Sequence, residues 1–76
     1  MSEMPRFQAM EWFESNRGRV AIVRCDRERP RDKSGLDGSQ VLIDGAIYDC
    51  VGVACDMPAT PIREGEIIAL YVKVPA

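Results

Sequence analysis

Cys25, Cys50 and Cys55 are the three thiols of this 76-residue chain, and no histidine accompanies them. Thiolates at a Cys50-x4-Cys55 spacing can ligate a soft metal, but a structural zinc site takes four ligands, usually from two close pairs. Cys25 and a carboxylate such as Asp49 or Asp56 would have to complete that set. Free cysteine is among the most buried residue types, so the thiols are expected in the core, with no metal and no other cofactor. The lack of histidine removes the commonest general base and the usual activator of a serine or cysteine nucleophile. Glu64 and Glu66 are two residues apart, as an acid/base pair could be, but they flank Gly65 in a turn where carboxylates are solvated. Ser34-Gly35 and Asp37-Gly38-Ser39 lack the strand, lysine and helix that a phosphate-cradling loop requires. The expectation is a protein that is not an enzyme.

The charged residues are the other chemical feature. Net charge is −2, yet seven of the ten basic residues lie between Arg17 and Lys33, a stretch of charge +4 that leaves −6 on the remainder. Such separation of signs steers a charged partner. Arg24, Arg27, Arg29, Arg31 and Lys33 are the candidate partner-binding cations, with Trp12 as an aromatic contact. The same 17–33 segment could follow a nucleic-acid backbone. Against that, the total charge is acidic, and no aromatic residue falls between Phe13 and Tyr48 to stack a base.

The elements that must position these groups fit one domain spanning residues 1–76. Phe7, Met10 and Phe13 recur every three residues, with Pro5 ahead of them and Asn16 and Gly18 behind, which predicts a helix over 5–15. Strands are predicted at 19–25, 40–43, 46–53 and 67–74, and a solvated charged loop at 26–39. The strongest local signal is Asp44-Gly45, two residues able to take positive φ between β-branched runs, which marks a two-residue hairpin turn. It sets Ile43 opposite Ala46, Leu42 opposite Ile47 and Val41 opposite Tyr48. One face then carries Val41, Ile43, Tyr48 and Cys50, the other Leu42, Ile47, Val51 and Val53, with Gly52 a bulge or sharp bend. A tight turn is predicted at Arg63–Glu66. The resulting fold class is α+β: a short N-terminal helix followed by a small antiparallel, partly closed, SH3-like β-barrel of about four strands.

The run Val41-Leu42-Ile43-Asp44-Gly45-Ala46-Ile47-Tyr48, with Val51-Gly52-Val53, Met57-Pro58 and Pro61-Ile62-Arg63-Glu64-Gly65-Glu66-Ile67-Ile68-Ala69-Leu70, resembles small uncharacterised proteins encoded by bacteriophages and prophages. The resemblance covers the carboxy-terminal half and carries over no functional residue. It implies a viral origin and a structural or accessory role. With no signal-peptide pattern at the start and no run of ~20 apolar residues to span a bilayer, the expected location is the cytoplasm of a bacterial host, or a virion, without membrane contact. The expected function is a non-enzymatic structural or protein-interaction module, partnered by another protein or by a second copy as a homodimer. The alternative is a small barrel that binds nucleic acid.

Overall fold

The computed structural model describes residues 4–30, 36, 38–54 and 61–75. Six strands follow one another: β1 (Arg6–Phe7), β2 (Glu11–Ser15), β3 (Gly18–Arg24), β4 (Gln40–Ile43), β5 (Ala46–Ala54) and β6 (Ile67–Lys73). They form one sheet in the order β1-β4-β5-β6-β3-β2, antiparallel throughout except for the parallel β1–β4 pair. No helix occurs among the described residues.

The Asp44-Gly45 hairpin forms with the register expected, Ile43 opposite Ala46 and Val41 opposite Tyr48. Asp44 at φ 52° and Gly45 at φ 84° have the positive φ at both central positions that a type I′ turn requires. On β5 the register shifts between Cys50 and Gly52, so the bulge expected near Gly52 is present. It changes the faces beyond it. Val41, Ile43 and Cys50 are buried on the inner face and Tyr48 packs against them, but the bulge brings Val53 inward as well and leaves Val51 exposed.

Two expectations are corrected. The segment 5–15 is not a helix but the two edge strands β1 and β2, and the sheet has six strands of mixed direction and does not close into a barrel. The three-residue apolar spacing misled because only Phe7 of Phe7, Met10 and Phe13 is buried, the other two being about half exposed at 50% and 49%. Pro5 loses nothing at a sheet edge, where its carbonyl accepts from the Leu42 amide at 2.8 Å. The expected charged loop is also anchored where it is described. Arg29 and Ile62 exchange backbone hydrogen bonds at 2.8 Å, and Leu36 is fully buried in the core.

Sheet order and chain order together dictate the curvature. β1 and β2 lie at opposite edges, yet only Gln8, Ala9 and Met10 connect them. A flat six-stranded sheet would hold its edges ~24 Å apart, whereas the chain from Phe7 to Glu11 reaches ~14 Å at most. The sheet therefore curls until residues 8–10 can cross its seam. Trp12 of β2 meets Tyr48 of β5 with ring centroids 5.5 Å apart, which confirms that strands distant in the sheet order face each other. Inside the curl lie Ala21, Val23, Val41, Ile43, Leu70 and Val72, all fully buried.

Candidate functional site

The crossing at the seam is held from both sides. The Asp44 amide donates to the Phe7 carbonyl (3.0 Å), the Ala9 amide donates to Asp44 Oδ1 (3.1 Å), and the Met10 amide donates to the Ile22 carbonyl (2.7 Å). Asp44 thus serves the hairpin turn with its backbone and the crossing with its carboxylate. An open groove of ≈ 830 Å³ lies along this crossing, lined by Arg6, Met10, Arg24, Leu42, Asp44 and Gly45 among others.

Arg6 is opposite Leu42 on the outer face of the sheet, and Arg24 ends β3 on the same face, opposite Ile67. Arg24 Nη1 donates to the Gly65 carbonyl at 3.2 Å, which fixes its direction without neutralising it. Among the described residues neither Arg6 nor Arg24 has a carboxylate within ion-pair distance. The groove therefore joins two guanidinium groups that stand outside ion-pair distance of any described carboxylate, with the Asp44 carboxylate in the same lining, to the apolar surface of Met10 and Leu42.

The other sequence candidates are scattered. Arg27 is exposed, and its carbonyl accepts from the Cys25 thiol at 3.0 Å. Arg29 is turned into the fold, only 4% exposed, with Nε and Nη2 donating to the two Asp26 oxygens at 2.9 and 2.8 Å. Arg31 and Lys33 lie outside the described residues. Trp12 sits on the inner face, half-buried between Tyr48 and the Arg19 guanidinium 4.7 Å over its ring. On the outer face Arg17 stacks over Tyr71 at 4.9 Å. Arg6 was missed because a helix over 5–15 gives it no place beside β4, where the structure pairs it with Leu42. The available signal was the Pro5-Arg6-Phe7 order, an edge-compatible proline before an alternating polar and apolar pair.

The perturbed titrations belong to the interior anchor and not to the groove. Burial draws the Asp26 carboxyl upward, but the hydrogen bonds and charge of Arg29 outweigh it and hold the group below the usual 3.8. The same hydrogen bonds raise Arg29. Burial pushes the Cys25 thiol above 9.0, which keeps it protonated and unreactive at neutral pH. Cys25 and Cys50 are buried thiols outside any disulfide, while Cys55 and Asp56 of the metal reading lie outside the described residues. Among the described residues no cluster of three or more cysteines and carboxylates could hold a metal, and no helix is long and apolar enough to cross a membrane.

Comparison of the chain with protein-family models, with curated proteins and with solved structures finds no match.

Proposed function

We propose that this chain is a non-enzymatic structural or protein-interaction module that works through the outer face of its sheet. The observation that carries the reading is the apolar character of that face. Phe13, Val20 and Tyr71 stand side by side across β2, β3 and β6, with Ile22 and Ala69 in the next row beside Glu11, and Ile67 beyond beside Arg24. Phe13 and Ile67 are each about half exposed, whereas a monomeric sheet usually turns polar residues to water.

Nucleic acid is the second reading, because arginines do stand beside aromatic rings here. Those rings are already occupied: Arg19 and Tyr48 contact Trp12, and Arg17 covers Tyr71. A stacked base would have to displace them, so the arrangement favours protein contacts. A viral origin would fit an accessory module of this size, and capsid, tail or recombination genes beside its own would support it.

Two measurements on the intact chain test the reading. Oligothymidine should not bind at about 50 mM salt, where phosphate contacts are strongest. Sedimentation should show concentration-dependent self-association that Phe13→Glu removes. Tight oligothymidine binding by a chain that stays monomeric at every concentration would contradict the proposal.

A further inference from the structure

We infer that the seam groove seats a short extended protein segment in which an acidic side chain lies beside an apolar one; this rests on the protein-interaction reading and names the partner's chemistry. Charge complementarity is the first ground. The chain as a whole is acidic at −2, but the groove presents Arg6 and Arg24 with no carboxylate within ion-pair distance among the described residues. The one carboxylate in its lining, Asp44, accepts from the Ala9 amide and keeps its charge, so the lining holds two positive groups against one negative. A planar guanidinium offers parallel donors that match a carboxylate, and the local reversal of sign steers an acidic segment toward it.

The apolar lining is the second ground. Met10 is half exposed over the groove and Leu42 partly so, an adaptable thioether beside a branched side chain. The groove is partly open to solvent, which suits a surface-bound segment better than a fully enclosed small molecule. A phosphate would satisfy the arginines equally well. However, the aromatic ring in the lining is Phe7, only 7% exposed with its side chain in the core, so no stacking platform is offered to a base.

The test uses the full chain, a fluorescein-labelled peptide in the order Glu-Glu-Leu-Leu-Glu-Glu, which in extended form sets acidic and apolar side chains on the same face, its counterpart with lysine in place of glutamate, and oligothymidine. The acidic peptide should bind and shift the backbone amide resonances of Met10 and Gly45. Arg6→Glu and Arg24→Glu should each weaken it about tenfold, and Lys73→Glu, on an exposed side chain away from the groove, should not. Arg6→Gln, milder at an edge position, guards against a charge reversal that disturbs folding and should weaken binding in the same direction. Equal binding of both peptides, or no amide shift up to about millimolar acidic peptide, would overturn the groove assignment. Shifts confined to Phe13, Ile22 and Tyr71 would overturn it and leave the protein-interaction reading standing. Oligothymidine binding in place of the peptide would overturn both.

Discussion

A single residue, through its backbone and its carboxylate, serves two structural purposes in this protein. Asp44 holds a positive φ in the β4–β5 turn and accepts from the Ala9 amide across the seam, so turn and crossing can be separated by mutation. A Cβ added at Gly45 meets no atom within 4 Å, so the cost of Gly45→Val is set by the backbone strain of a branched residue at φ 84°, about 1–2 kcal/mol by urea unfolding. Gly45→Asn should cost clearly less. The Asp26–Arg29 pair works through a different physics. Arg29 is buried and its bidentate partner is Asp26, so Asp26→Asn should destabilise by about 2–3 kcal/mol. Because the folded Asp26 carboxyl lies below 3.8, its contribution is complete above that pH and is lost as pH falls through the folded value. Acid titration of the wild type should show this loss and Asp26→Asn should not. The Cys25 thiol acts in the opposite direction, since its raised value makes stability fall as pH climbs past 9.0.

The elements show how local signals can be sound and still be assigned to the wrong structure. Strands β3 to β6 were legible because β-branched alternation and the Asp44-Gly45 turn are short-range features with one physical meaning. The first fifteen residues carry a signal with two meanings. Asn16 and Gly18 can end a helix, but here Gly18 at φ 113° closes the β2–β3 hairpin, with Ser15 Oγ donating to its carbonyl at 2.7 Å. A Cβ at Gly18 would sit 3.0 Å from the Val72 carbonyl oxygen, so the strand neighbour and not helix capping demands glycine there. What selects the strand is tertiary: Trp12 must cover Ala21 and reach Tyr48, contacts that no local pattern reveals. Arg6 entered the groove by the same long-range event. In the charged loop Asp26, Arg27, Glu28 and Pro30 are exposed, but Leu36, one apolar residue in a polar stretch, is buried with the core by a long-range packing that no local pattern reveals. Leu36→Ala should cost about 2–5 kcal/mol by thermal unfolding, the loss of a core leucine and not of a loop residue.

At the scale of the whole molecule, the curl of an open sheet creates both the interior and the candidate surface. Six strands bury one face on themselves, the crossing at residues 8–10 holds the edges together, and the arginines flanking that crossing face solvent beside Met10. If the crossing loosened, the groove would lose its floor. Hydrogen exchange of the backbone amides tests this most directly. In the wild-type protein the Ala9, Met10 and Leu42 amides should be protected, and Asp44→Gly, which keeps the turn conformation but removes the carboxylate, should speed Ala9 exchange at least about tenfold while leaving Val23 and Leu70 protected. Free exchange of residues 9–13 in the wild type, or helical sequential contacts between them, would contradict the account.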